Sequence, residues 1–137
     1  MKLSYIYKNV YFMNSYIDFP TAKIPVYMTS RTVNFKMFSS YEQLLDVDKF
    51  TISSERSDIQ LKIIYNPKMK EDGYDLEISK KEIVINVKNE RGIRYALAVL
   101  NNLVTKKNGY ARLPLIKIND EPSFKYRGII EGYYGTP

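Results

Sequence analysis

Two neighbouring stretches of the chain alternate apolar and polar residues with a period of two. Tyr74, Leu76 and Ile78 alternate with Asp75, Glu77 and Ser79, and Ile83, Ile85 and Val87 alternate with Val84, Asn86 and Lys88. That is the pattern of strands with one buried face. Ser79-Lys80-Lys81 between them has the length of a hairpin connection, although it lacks the usual glycine. A β-hairpin is expected. The period then changes. Ile93, Ala96, Leu97, Leu100, Leu103 and Val104 fall at i, i+3, i+4, i+7, i+10 and i+11, one apolar stripe of an α-helix. Asn89 can cap it, Lys106 and Lys107 suit the negative end of its dipole, and Asn108-Gly109 reads as a stop. A helix over residues 91–107, packed on the hairpin, is predicted.

The remaining segments are shorter. Leu3 to Met13 is aromatic and β-branched and reads as strand, with an extended pause at Phe19-Pro20. Ile24 to Met28 and Thr32 to Met37 are further strand candidates. Ser39 or Ser40 can cap a short helix that includes Leu44, Leu45 and Val47. Leu61 to Tyr65 reads as a buried strand ended by Asn66-Pro67, and Lys68 to Gly73 as a charged loop. Arg112 to Ile118 is one more strand, and its Pro114 suggests an edge position. Asn119-Asp120-Glu121-Pro122-Ser123 is a break of linker type. The strand-like, glycine-containing residues 124–137 follow it.

Composition changes this picture mainly by exclusion. At 137 residues the chain suits one domain and is far shorter than the ~250 residues of a (β/α)8 barrel. It has no Cys and no His, which removes disulfides, thiolate nucleophiles, imidazole bases and Cys- or His-ligated metal. Any catalysis would rest on carboxylates, Lys, Tyr or backbone dipoles. No signal peptide and no membrane-length apolar run is visible in this chain, so it is expected to be soluble.

Charge is uneven. The chain carries 21 basic and 15 acidic residues, net +6. Residues 80–117 hold nine basic groups (Lys80, Lys81, Lys88, Arg91, Arg94, Lys106, Lys107, Arg112 and Lys117) against Glu82 and Glu90 alone. Such a window, with tyrosines near it, suits a glycan- or nucleic-acid-binding module. Solvated faces of a hairpin and a helix are the preferred account, because no recognised nucleic-acid motif accompanies the charge. The adjacent carboxylates Glu71-Asp72 and Asp120-Glu121 read as solvated loop charges, since neighbours on an extended chain point to opposite faces. There is no phosphate-binding glycine loop and no calcium-loop spacing.

The most specific feature is Arg127-Gly128-Ile129-Ile130-Glu131-Gly132-Tyr133-Tyr134-Gly135-Thr136-Pro137. It resembles the first barrel strand of glycoside hydrolase family 84, the β-N-acetylglucosaminidases that include O-GlcNAcases and bacterial hyaluronidase-type enzymes. Upstream, Asp72-Gly73-Tyr74-Asp75-Leu76-Glu77-Ile78, Ile83-Val84-Ile85, Gly92-Ile93-Arg94-Tyr95-Ala96-Leu97, Leu113-Pro114 and Ile118-Asn119-Asp120-Glu121-Pro122 look like the accessory domain that precedes these barrels and is shared with family 20 hexosaminidases.

The resemblance implies an α+β fold, a mixed β-sheet with helices packed on one face, over residues 1–123. The truncated first strand of a (β/α)8 catalytic barrel would then occupy residues 124–137. It also implies a parent glycosidase that removes terminal β-linked N-acetylglucosamine with retention, assisted by the substrate's own acetamido group. The family's catalytic Asp pair has no counterpart here, so no catalytic residue is expected in this chain. Two substrate contacts carry over: the backbone of Gly132 would approach the sugar and Tyr134 would shape the pocket floor. No cofactor and no metal is implied. The expected partners are a carbohydrate substrate, through the barrel, and the barrel itself within one polypeptide. A membrane is not expected, and nucleic acid is the weaker alternative.

Overall fold

The computed structural model describes residues 10–28, 44–53 and 55–121. These form one mixed sheet and one α-helix. In chain order the elements are β1 (Val10–Phe19), β2 (Ile24–Tyr27), β3 (Phe50–Ser53), β4 (Ile59–Tyr65), β5 (Tyr74–Ile78), β6 (Glu82–Val87), α1 (Glu90–Leu103), β7 (Thr105–Lys107) and β8 (Tyr110–Asp120). The strands lie in the order β1-β8-β5-β6-β4-β2-β3, and β7 pairs with the first part of β8. Pairing is antiparallel from β1 through β8 and β5 to β6, and parallel from β6 through β4 and β2 to β3.

The period-two hairpin is the centre of the sheet. Tyr74 pairs with Val87, Leu76 with Ile85 and Ile78 with Ile83, and all six side chains are buried. The turn closes where the Ser79 amide donates to the Glu82 carbonyl at 2.9 Å. Neither Lys80 nor Lys81 has a positive φ, so this turn has no need of a glycine. On the same face β4 contributes Ile59, Leu61 and Ile63, and β8 contributes Ile116 and Ile118. Ile93, Ala96, Leu97 and Leu100 of α1 are fully buried against this surface. Side chains of that size stabilise by roughly 1.5–3 kcal/mol each when removed from water, so this layer dominates the fold.

The helix begins as the sequence indicates and ends earlier. Asn89 is extended, at φ −144° and ψ 175°, and its side chain accepts a hydrogen bond from the Gly92 amide at 3.1 Å. The last helical residue is Leu103, not Lys107. Val104 is extended and buried, and Thr105–Lys107 pairs with Tyr110–Arg112. Asn108 and Gly109, at φ 52° and 82°, form the turn between these strands. Two successive left-handed residues are what a tight hairpin requires, and Asn-Gly supplies them. The dipeptide that reads as a helix stop is therefore a hairpin turn, and Lys106 and Lys107 lie on a strand, not at a helix end.

Pro114 is likewise misread from sequence alone. Its strand, β8, lies between β1 and β5 and is no edge. On one side β8 pairs with β7 through Arg112 and with β5 only from Ile116 onward. Pro114 falls between those two ladders, where its missing N–H costs no hydrogen bond. On the other side the β1 register slips. Phe12 faces Ile116 and Tyr16 faces Pro114, so Met13, Asn14 and Ser15 together oppose Leu115. Asn14 takes a left-handed φ of 54° in this bulge, a conformation asparagine tolerates better than most residues.

Other expectations fall partly outside the described residues. The predicted strand from Leu3 is seen only from Val10, where it runs on to Phe19. The Thr32–Met37 strand and the start of the Ser39/Ser40 helix lie outside them, as do Pro122–Pro137 with the expected barrel strand. Of the short helix's apolar residues Leu45 is buried, while Val47 is 70% exposed in a turn. Asn101 of α1 holds this segment: its side chain donates to the Leu44 carbonyl at 2.9 Å and accepts from the Asp46 amide at 3.0 Å. No helix among the described residues is long and apolar enough to cross a membrane.

One contact sets how closely α1 can approach. A Cβ on Gly92 would lie 2.4 Å from the Gly73 carbonyl oxygen and 3.1 Å from Val87 Cγ1. Gly92→Ala improves helix propensity by up to ~1 kcal/mol, but overpacking against backbone costs more. A net destabilisation of ~1–3 kcal/mol is expected, measurable as a lower urea midpoint with an unchanged m-value.

Candidate functional site

The two carboxylate pairs of the sequence come together at one corner, around the Lys68–Gly73 loop and the end of β8. Asp72 sits there at a left-handed φ of 63°. Its amide donates to Asn89 Oδ1 at 3.1 Å, and Asn89 Nδ2 donates back to its carboxylate at 2.9 Å. The Arg91 guanidinium lies 3.5 Å from the same carboxylate. Glu121 is 3.4 Å from Lys70. These acids close the loop onto the helix cap, which is a structural role. Among the described residues no group of three or more carboxylates is placed to hold a metal ion.

The basic window does not form one surface. Lys80 and Lys81 occupy the β5–β6 turn, and Lys106, Lys107 and Arg112 the β7–β8 hairpin; Arg91 and Arg94 stand on the first turns of α1. Four of the nine are ion-paired: Arg91 with Asp72, Arg94 with Glu90 at 3.0 Å, Arg112 with Asp18, and Lys117 with Glu77 at 3.7 Å. Three of those acids, Asp18, Asp72 and Glu77, lie outside residues 80–117, so the sheet itself neutralises much of the local excess. The Lys106 ammonium donates to the Asp48 carbonyl.

The pair Asp18–Arg112 is the most closely engaged ion pair among the described residues. The two residues are directly opposite in the β1–β8 register, although 94 positions apart in sequence. Arg112 forks onto the carboxylate, Nε to Oδ1 at 2.6 Å and Nη2 to Oδ2 at 3.2 Å. Its guanidinium carbon lies 4.7 Å above the centre of the Tyr16 ring, and Tyr16 meets Phe12 edge-on at 5.5 Å. Beside the pair is an open depression of about 490 Å³ on the β7–β8 hairpin. No local pattern could reveal this arrangement, since it depends on the register of two distant strands.

Gly132 and Tyr134, the expected substrate contacts, lie outside the described residues. The described part of the chain is thus a mixed sheet carrying one helix, with Asp18, Asp72, Glu77, Glu82, Glu90 and Glu121 in surface ion pairs. Residues 38–121, more than half of the chain, match the family model described as glycosyl hydrolase family 20, domain 2. The chain belongs to that family.

This domain 2 also matches solved structures. A family 20 exo-β-N-acetylglucosaminidase from Vibrio harveyi, solved with N-acetylglucosamine, superposes with a TM-score of 0.65 at 20% identity, over 87% of this chain and 19% of that one. A β-N-acetylhexosaminidase from Bacteroides fragilis gives 0.59 at 18% identity, over 85% and 24%. The structure of CpGH84B gives 0.58 at 20% identity, over 86% and 22%. The domain therefore spans about a fifth to a quarter of the length of these proteins. At such identities the likeness concerns the fold. Family 20 domain 2 is an accessory domain of hexosaminidases.

The fork has a titration consequence. The Arg112 hydrogen bond, helped by its charge, holds the Asp18 carboxyl below its ordinary value of 3.8. A depressed folded value means that the pair contributes stability above the unfolded value, lost as pH falls through the folded one. The Asp18 side-chain carbon should titrate by NMR below pH 3.8, and Arg112→Gln should return its midpoint upward.

Proposed function

We propose that this chain is the accessory domain of a β-N-acetylglucosaminidase whose catalytic groups lie outside these 137 residues. The observation that carries the reading is the family 20 domain 2 match over residues 38–121. It is supported by the neighbours, among them an exo-β-N-acetylglucosaminidase, in which this fold makes up about a fifth of the chain. The domain contributes a rigid sheet and helix beside a catalytic barrel and does no bond-breaking itself. It has neither His nor Cys, and glycoside hydrolysis needs carboxylates aimed at one anomeric centre.

Residues 127–137 refine the reading towards the family 84 type. Arg127-Gly128, Glu131-Gly132, Tyr133-Tyr134 and Gly135 follow that family's first barrel strand, whereas family 20 diverges directly after Arg-Gly. In this reading Gly132 and Tyr134 stand at the carboxyl end of strand one, where barrel enzymes place their active sites. Gly132 allows the backbone to reach the sugar because no Cβ intervenes. The substrate is a terminal β-linked N-acetylglucosamine, hydrolysed with the help of its own acetamido oxygen.

Two measurements test this. The purified chain should release no nitrophenol from 4-nitrophenyl N-acetyl-β-D-glucosaminide, while a longer product of the same gene should; turnover by the chain alone would overturn the reading. In the longer product Gly132→Val should lower kcat/KM at least about tenfold, since a branched side chain would stand between backbone and sugar. An unchanged kcat/KM would remove Gly132 from the site.

A further inference from the structure

The corner where β1, β7 and β8 meet has properties that neither the fold nor the proposed glycosidase role requires. Its depression is lined by Asp18, Thr105, Lys107, Asn108, Tyr110 and Arg112, together with Lys106. Tyr110 is 54% exposed and offers a ring with an apolar face and a polar tip to the depression. Thr105, Lys107 and Asn108 are exposed as well. The Lys107 ammonium has no ion-pair or hydrogen-bond partner among the described residues.

Arg112 is held on two sides, edge-on by Asp18 and face-on by Tyr16. A guanidinium has five N–H donors, so those not engaged by Asp18 remain available in a fixed orientation. Three basic side chains line the depression against one carboxylate, and that carboxylate is already forked by arginine. An anion is favoured there.

We propose that this depression is a subsite for an acidic saccharide, a pyranose bearing a carboxylate or a sulfate. The Tyr110 ring offers a flat apolar surface to the C–H face of the sugar. Lys107 and the outer N–H groups of Arg112 receive the anionic group as charge-assisted hydrogen bonds. The Thr105 hydroxyl and Asn108 amide, exposed on the same lining, supply hydrogen-bonding groups for ring hydroxyls. The hairpin turn at Asn108-Gly109 and the clamp on Arg112 order these groups before binding, which reduces the entropy lost on association. A neutral sugar would use Asp18 as its main acceptor, but Arg112 already occupies it. A nucleic acid needs cations following a backbone beside several stacking rings, whereas the depression has one exposed ring and its neighbouring cations are dispersed or paired. The proposal is independent of the glycosidase reading, and its failure would leave that reading intact.

The test uses the full chain, titrated with a chondroitin sulfate tetrasaccharide and followed by amide NMR, with chitotetraose and a thymidine octanucleotide as comparators. Shifts are expected at Asp18 and over Thr105–Arg112, with affinity several-fold weaker as salt rises from about 50 to about 200 mM. Tyr110→Ala and Lys107→Gln should each weaken binding about fivefold or more at unchanged Tm. Asp18→Asn should tighten it about two- to fivefold, because it frees the arginine. A neutral-sugar site predicts weakening by Asp18→Asn instead. The proposal is overturned by the absence of shifts at millimolar tetrasaccharide, by equal binding of chitotetraose, by tighter binding of the octanucleotide, or by weakening on Asp18→Asn.

Discussion

The fold depends on how closely α1 can lie across the β5–β6 hairpin. The inward rows Tyr74-Leu76-Ile78 and Ile83-Ile85-Val87 meet the stripe Ile93-Ala96-Leu97-Leu100 with no exposed atoms to speak of. That fit requires Gly92 against the Gly73 carbonyl, and it requires the helix to start where Asn89 stops the strand and accepts the first free amide. Asn89 also binds Asp72 in both directions. A single side chain thereby caps the helix and ties down the loop that enters β5. Truncating a cap of this kind costs ~1 kcal/mol from the helix alone, and here the loop would lose its anchor as well.

Around this centre the sheet changes character. On the antiparallel side, β1-β8-β5-β6, only the β5–β6 hairpin joins sequence neighbours, and β8 returns from far along the chain to pair with β5 and β1; the parallel side, β6-β4-β2-β3, requires crossovers. β8 joins three partners because its pairing is divided. It takes β7 at its start, β5 at its end and β1 along most of its length. Pro114 and the β1 bulge sit at the point of division, so two local irregularities that would weaken a uniform ladder fall where the ladder changes partner.

The same register creates a preorganised polar cluster on the surface. Asp18 and Arg112 face each other only because β1 resumes pairing after the bulge. Membership of the family 20 domain 2 group explains the sheet and helix, and the solved neighbours share that fold. Neither accounts for an exposed tyrosine and an unengaged lysine beside a clamped arginine. That corner is where the domain has chemistry of its own to offer.

The central hairpin and most of α1 were legible from the residues, because burial on one face imposes a period of two or of 3.6 on any sequence that folds this way. Cap and core positions at Asn89, Ile93, Ala96 and Leu97 followed directly from that pattern. The end of the helix did not, since Val104 and Lys107 continue a helical spacing that the β7–β8 hairpin overrides by pairing. Pro114 could not be placed either, because an edge and a gap between two ladders make the same demand on a missing N–H. The Asp18–Arg112–Tyr16 cluster lay wholly beyond the sequence. Local periodicity reports which face of each element is dry, whereas strand order and register decide which distant side chains meet, and those are set by the packing of the whole sheet.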